Sequence, residues 1–393
     1  METKKCYEDD AYTIQFEATV CSCEPMEKLF LVTLDRTYFY PEGGGQPADL
    51  GRLGAAVVKD VKQKDGVVQH ITDRPLTVGE TVEGQIDWDR RFDLMQNHSG
   101  EHILSGIICR KYGCDNVGFH MGKETILIDF NVKIPQEDLL LLEREANKAI
   151  WKNIPSHVTY PSQEELERLA YRSKKALEGR VRILEIGTYD RCACCGTHVK
   201  QTGEIGLIKI LSAQNYKGGT RLEIVCGMRA LADYAQKTEQ AAAISEMLSV
   251  PTGQIAQAVG SLQKERDRWQ QMVSRMKWEK IHLLAGQAET AQVCCFVQDF
   301  DSKDAVHLAD AILEKTRGTA AVFAQAKEGF LFVLMSRTED MRLLAAKLKE
   351  QFGSKGGGKA EAVQGRTEAD AKQLQAFWTE QGFTVMDAMG RQG

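Results

Sequence analysis

Two pairs of metal-binding side chains, each pair four residues apart, constrain this chain more than any other feature. Asn97-His-Ser-Gly-Glu-His102 sets His98 and His102 on one face of a helix, their imidazoles one turn apart. Cys194-Cys-Gly-Thr-His198 supplies a thiolate and a third imidazole much later in the chain. Three imidazoles and a thiolate are donor types that suit zinc. If His98, His102, Cys194 and His198 share one ion, the fold must bring two distant segments together around it. Taken separately, His98 or His198 could instead satisfy a polar network in the core. Cys195-Gly-Thr-His198 offers a competing sulfur spacing, and Cys192 adds another thiol. His98-Ser-Gly-Glu101-His102 also fits H-x-x-E-H, the inverted zinc-peptidase pattern, with Glu101 as general base. That pattern needs an acidic third ligand downstream, a role for which Cys194 and His198 compete.

The rest of the chain predicts an α+β, multidomain architecture in four parts. Residues 1–90 hold short runs rich in β-branched and aromatic residues (12–20, 29–34, 55–62, 66–71 and 81–87), punctuated by Gly, Pro and Asp. Such spacing predicts a small antiparallel β-barrel. Between the second and third runs lies Tyr38-Phe-Tyr-Pro-Glu-Gly-Gly-Gly-Gln-Pro47, where Gly43, Gly44 and Gly45 free the backbone for a close approach. Residues 91–229 mix helices (92–112, 135–154, 163–173) with strands (124–130, 181–186, 205–211, 220–225) and contain both ligand pairs. Residues 230–286 read as helix divided at Pro251, with Thr252 as a cap. Ile255, Val259, Leu262, Arg266, Trp269, Val273, Met276, Lys280 and Leu283 follow heptad steps, so this spacer is a coiled-coil seam or a helix packed on its own chain. Residues 287–393 alternate strands and helices as a small C-terminal α/β domain. Its glycine-rich segment, Gly353-Ser-Lys-Gly-Gly-Gly-Lys359, is expected as a loop that offers amides and two lysines to an anion. It does not match the P-loop pattern.

Composition narrows the class. The net charge is −5 over 393 residues, so contacts with nucleic acid must come from local patches rather than a chain-wide basic field. No apolar run reaches the roughly 18 residues of a membrane span, and the first ten residues lack the apolar core of an export signal. Eleven cysteines without such a signal point to reduced thiols in the cytoplasm rather than a disulfide framework.

Several motifs, in order, resemble one family: the free-standing alanyl-tRNA editing proteins of the long form, related to the editing and C-terminal domains of alanyl-tRNA synthetase. Arg36-Thr-Tyr-Phe-Tyr-Pro-Glu-Gly-Gly-Gly-Gln-Pro47 is similar to that family's barrel loop, and Asn97-His-Ser-Gly-Glu-His-Ile-Leu104 to its H-x-x-x-H helix. Gly118-Phe-His-Met-Gly122, Cys194-Cys-Gly-Thr-His-Val199, Thr202-Gly-Glu-Ile-Gly206 and Gly219-Thr-Arg-Leu-Glu223 resemble further family motifs. Gly356-Gly-Gly-Lys359 with Gln364-Gly365 resembles the glycine-rich segment of the synthetase's C-terminal domain. Glu101 departs from the small or apolar residue often found there, and Cys192 and Cys195 add thiols beside the expected ligand.

The resemblance implies an ATP-independent hydrolase that corrects serine or glycine wrongly attached to tRNA(Ala). The aminoacylating module does not precede the barrel, so the expected action is in trans. It implies zinc held by His98, His102, Cys194 and His198, with Thr37 reading the serine hydroxyl and Gln46 orienting the ester or water. Gly43, Gly44 and Gly45 would pass close to the terminal adenosine, while Arg221, Lys355 and Lys359 would contact the tRNA. A homodimer through the heptad seam is a further expectation. The alternatives are a non-catalytic RNA-binding protein with structural zinc, and the H-x-x-E-H peptidase.

Overall fold

Buried positions alternate along the early strands: Phe16, Ala18 and Val20 on one, Val32 and Leu34 on the next. Strands with one apolar face bury it most completely when the sheet rolls onto itself. The computed structural model describes residues 2–173 and 180–390. Its first strands are β1 (Lys4–Lys5), β2 (Gln15–Met26), β3 (Leu29–Leu34), β4 (Arg36–Thr37), β5 (Gly51–Leu53), β6 (Ala56–Lys64), β7 (Val67–Thr72) and β8 (Thr81–Ile86). Six of them close into a barrel in the order β2-β3-β7-β6-β5-β8, and β1 pairs with β4 in parallel. Val32, Leu34, Phe39, Leu53, Val61 and Val68 fill its interior.

The chain then enters α1 (Trp88–Tyr112). Asp87 caps it by accepting from the Arg90 amide, and Gly113 ends it in the left-handed conformation at φ 61°. From Leu94 to Cys109 every residue of α1 is buried. A helix enclosed on all sides shows no clean apolar stripe, and this one buries His98, Ser99, Glu101, His102 and Ser105 beside its leucines and isoleucines. Polar groups held so deep require partners or a ligand.

Around α1 lie β9 (Asn116–Met121), β10 (Ile126–Phe130), α2 (Leu139–Trp151), β11 (Ser156–Thr159), α3 (Gln163–Arg168), β12 (Ile183–Ile186), β13 (Asp190–Ala193), β14 (Ile208–Tyr216) and β15 (Gly219–Cys226). They form an antiparallel sheet ordered β14-β15-β10-β9 and a smaller one ordered β11-β12-β13. Ile103, Leu104 and Ile107 of α1 share a core with Ile126, Ile128, Leu142, Ile150, Leu222 and Ile224. The helix expected over 163–173 stops at Arg168. Leu169 turns extended, and Arg172 pairs with Cys192 in an isolated parallel bridge.

The chain divides into two compact units, Met1–Ala243 and Ile244–Gly393, with the break inside α4 (Gly227–Leu248). In the second unit Thr252 is not the helix cap. It opens a 3-10 turn, Thr252–Gln254, and no side chain caps either that turn or α5 (Ile255–Gly286). Then follow β16 (Gln292–Val297), α6 (Ser302–Thr316), β17 (Thr319–Gln325), β18 (Phe330–Ser336), α7 (Met341–Phe352), β19 (Lys355–Lys359), β20 (Ala362–Thr367), α8 (Ala371–Glu380) and β21 (Thr384–Ala388). The strands make one six-stranded sheet, β19-β20-β18-β17-β16-β21, in which β16 runs parallel to β17 and β21. Val293, Cys295 and Val297 pack on one face with α6 and the end of α5; Cys294 and Phe296 pack on the other with α7 and α8.

The glycine-rich segment expected as a loop is instead the edge strand β19. Its glycines admit a tight ladder: a Cβ at Gly356 would lie 2.6 Å from the Gln364 carbonyl oxygen, and one at Gly358 would lie 2.1 Å from that of Ala362. Among the described residues no helix is long and apolar enough to cross a membrane.

A candidate metal centre

Helical spacing puts His98 and His102 side by side on α1, ring centroids 5.1 Å apart. The turn after β13 delivers Cys194 and His198 to the same point, with the His198 ring 4.5 Å from that of His98 and 5.0 Å from that of His102. The Cys194 sulfur lies 3.5 Å from His98 Nε2 and 3.6 Å from His198 Nε2. One ligand atom from each of the four falls within 4.8 Å of the others. Nitrogen and sulfur bound to one tetrahedral zinc, at their usual bond lengths, stand about 3.6 Å apart. Cys195, by contrast, is exposed and outside the group.

Hydrogen bonds aim the imidazoles. Gln46 Oε1 meets His98 Nδ1 at 2.7 Å, and Asp190 Oδ2 meets His102 Nδ1 at 2.8 Å. Each acceptor places the ring proton on Nδ1 and turns the Nε2 lone pair toward the cluster. His102 Nε2 is buried and has no hydrogen-bond partner among the described residues. An uncompensated lone pair there, facing a thiol and two more imidazoles, is what a metal ion would satisfy. The donor set and its spacing therefore fit zinc.

The electrostatics agree with ligand roles. Burial pushes the Cys194 thiol up, but His98, His198 and His102 outweigh it and hold the thiol well below its ordinary value. Burial drives His198 down to about 3, which keeps the imidazole neutral. Burial also raises the Asp190 carboxyl, yet hydrogen bonds from His102 and Arg172 leave it below the usual carboxylate value.

The supporting geometry comes from three elements. Gln46 Nε2 donates to Thr197 Oγ1 at 2.9 Å, and the Val199 amide donates to Ser99 Oγ at 3.1 Å, so the 194–199 segment is fastened to both the barrel loop and α1. A Cβ at Gly196 would sit 2.3 Å from His98 Cε1 and 2.8 Å from Gln46 Oε1, so only glycine fits between them. Gly45, at φ 88°, passes against Phe119 and accepts from the Met121 amide at 3.0 Å. Phe119 in turn stacks on His98 at 5.0 Å. Gly43 closes the turn with Gln46 through paired backbone bonds, and Gly44 lies in open space.

The remaining expected residues, Thr37, Arg221, Lys355 and Lys359, are not part of the cluster of four. Thr37 is fully buried; its hydroxyl meets His70 Nε2 at 2.9 Å and accepts from the Phe39 amide at 3.1 Å. Arg221 makes two bonds to Asp129, at 2.6 and 2.8 Å, and lies over the Tyr216 ring. Lys355 and Lys359 stand exposed at the two ends of β19. Glu101 is fully buried, its Oε1 held by Ser105 and Asn116 at 2.7 and 2.6 Å and its Oε2 4.0 Å from His102 Nε2.

Residues 181–223, which contain Cys194 and His198, match the family described as the threonyl and alanyl tRNA synthetase second additional domain. Residues 7–90 match class II (A) tRNA synthetases, and residues 290–380 match the DHHA1 domain. The chain is 29% identical over 394 residues to the alanyl-tRNA editing protein AlaX-L of Pyrococcus horikoshii, spanning 94% of this chain and 96% of that protein. Along most of its length, this chain is similar to alanyl-tRNA editing proteins.

A second such relative, the alanyl-tRNA editing protein Aarsd1 of Bos taurus, is 27% identical over 412 residues, covering 91% of this chain and 93% of its own. An alanine–tRNA ligase of Natronomonas pharaonis matches 85% of the chain at 33% identity, but that match spans only 38% of the ligase. The sequence motifs do not reveal Asp190, Arg172 and Arg182. Arg182 Nη1 donates to the carbonyls of Cys194 and Gly196 at 2.8 and 3.0 Å. Nothing in their spacing marks them; only Asp190 lies beside the Cys192–Cys195 run.

Proposed function

We propose that this chain hydrolyses the ester of serine or glycine wrongly attached to tRNA(Ala), acting in trans at a zinc site. The observation that carries this reading is the convergence of three imidazoles and one thiolate beneath the barrel-loop residue Gln46, in a chain similar along its length to alanyl-tRNA editing proteins. His98, His102, Cys194 and His198 hold the zinc. When bound, zinc supplies a positive charge that can fix the substrate's amino group or polarise the ester.

The chain's own groups do the rest. Gln46 keeps His98 oriented by accepting a hydrogen bond from its Nδ1–H, and its amide nitrogen ties the ligand turn to the barrel through Thr197. Gly43, Gly44 and Gly45 let the barrel loop run close to the terminal adenosine. His70 Nδ1 faces the Val32 carbonyl at 3.2 Å, so Nε2 accepts from Thr37, whose oxygen also accepts from Phe39. One lone pair of the Thr37 hydroxyl is then left for a serine hydroxyl. Arg221 is already fixed by Asp129 and Tyr216, so any tRNA contact it makes comes from a preset side chain. Lys355 and Lys359 offer ammonium groups to phosphates along β19.

The parts divide as barrel (1–90), zinc-binding editing segment (91–229), coiled-coil spacer (230–286) and tRNA-binding domain (287–393), in a cytoplasmic protein. Val259, Leu262, Trp269, Val273, Met276 and Leu283 lie exposed at heptad spacing on α5, the seam for a homodimer.

The deciding experiment is a deacylation assay with purified protein, comparing serylated and glycylated tRNA(Ala) with the alanylated form. A site that hydrogen-bonds the serine hydroxyl can discriminate by about 10⁴, so the serine ester should vanish while the alanine ester survives. Binding of all three tRNAs with every ester left intact would make this an RNA-binding protein whose zinc is structural.

A further inference from the structure

The ligand residues come from two separate pieces of chain, and one arginine outside both touches the support of each. Arg172 Nε and Nη2 donate to Asp190 Oδ1 and Oδ2, both at 2.7 Å. Asp190 Oδ2 is the oxygen that accepts the hydrogen bond from His102 Nδ1. The Arg172 backbone is engaged as well: its amide donates to the Arg191 carbonyl at 2.8 Å, and its carbonyl accepts from the Ala193 amide at 2.9 Å. These two bonds bracket Cys192 and lock the last residues of β13 just before Cys194. The side chain therefore reaches His102 on α1, and the main chain reaches the segment that carries Cys194 and His198.

We infer that Arg172 and Asp190 form a positioning unit that fixes His102 relative to Cys194 and thereby sets the affinity and geometry of the metal centre. This rests on the zinc reading above. Asp190 is almost fully buried, and a bidentate guanidinium is the partner that holds both its oxygens in one plane. With only one oxygen held, the carboxylate could rotate, and the His102 ring, whose Nδ1 is held by that carboxylate, would turn with it. Arg191, on the same strand, turns its side chain to Glu185 instead of to either ligand limb, which makes it the natural control.

The test uses the full-length protein, stripped of metal and reloaded. Zinc affinity is measured by competition with a chromophoric chelator, and ligand geometry by the visible spectrum of the cobalt-loaded form. Arg172→Gln should weaken zinc binding by about 10- to 100-fold, the range for losing an outer partner of a metal-bound histidine, and should shift the cobalt bands. Arg172→Lys keeps the charge without the fork and should fall between Arg172→Gln and the wild type. Arg191→Gln should match the wild type in both readouts. If Arg172→Gln does not fold, Arg172→Lys carries the test alone: unchanged affinity and spectrum would overturn the proposal. Wild-type affinity and spectrum in a folded Arg172→Gln would overturn it equally, while leaving the zinc reading intact. A wild-type chain that takes up neither metal would remove the zinc reading and this proposal with it.

Discussion

The choice of sulfur donor for the proposed zinc turns on one residue. Cys194 points its sulfur at His98 and His198, while its neighbour Cys195 is exposed. Cys194→Ala should therefore abolish stoichiometric zinc in the purified protein, and Cys195→Ala should retain it; metal analysis showing the reverse assignment would sink this choice. A second residue, His70, couples the barrel to pH. Burial holds its pKa at about 4, against an ordinary 6.5. As pH falls from 6.5 toward 4, the unfolded chain takes up a proton that the folded barrel refuses, so stability is present above 6.5 and lost on the way down. The full effect is about 3 kcal/mol. Urea unfolding at pH 7.5 and pH 4.5 should show a smaller acid loss in His70→Gln than in the wild type; an identical loss would show that His70 does not titrate this way. The pairs whose four side chains cluster, and the glycine between Cys195 and Thr197, were legible as motifs. Thr37's bond to His70 was not, since it joins strands whose register no local pattern reveals.

Among elements, the barrel loop and α1 must be held together for Gln46 to reach His98. That brace is Arg91 on α1, fully buried, with Nε 2.9 Å from Asp49 Oδ1 and a second bond from Nη2 to the other oxygen. The same guanidinium donates to the carbonyls of Ala11 and Tyr38 at 2.6 Å each, and Asp49 also accepts from the Tyr40 amide. Removing one member leaves the other charge buried and alone, so Arg91→Leu should cost about 3 to 5 kcal/mol. The double variant Arg91→Leu with Asp49→Leu should recover part of that loss. Denaturant unfolding of the three proteins measures it, and additive losses would deny the pairing. The pattern 38–47 marks this loop as special, but nothing in the sequence singles out Arg91 or Asp49. Long-range pairing also explains the other elements missed. β9, β11 and β13 are short and gain their strand character only from their partners. β19, with three glycines, reads locally as a loop and becomes a strand because β20 lies alongside it.

At the scale of the whole molecule, the order of parts was legible because each part has its own period: alternation in the barrel, helical steps in the spacer, alternating strands and helices at the end. The place to divide them was not. A cut at residue 285 would fall beside Ile281 and Leu284, which are buried in the core of the second unit together with α6. The compact units instead part inside α4, so a chain ended after Leu248 keeps every ligand, the barrel and the core around α1. Such a truncated protein should load zinc and hydrolyse a short serylated acceptor-stem mimic at a rate near that of the full chain. Its binding of full-length tRNA should weaken and become less salt-dependent, by roughly one unit of logarithmic slope for each phosphate no longer neutralised, because fewer counterions are released. If the second unit only supported the fold, truncation would change zinc loading and mimic hydrolysis together and leave the salt slope alone. If it completed the active site, mimic hydrolysis would vanish while the zinc remained bound. Either result would remove the assignment of Lys355, Lys359 and their domain to tRNA binding rather than chemistry.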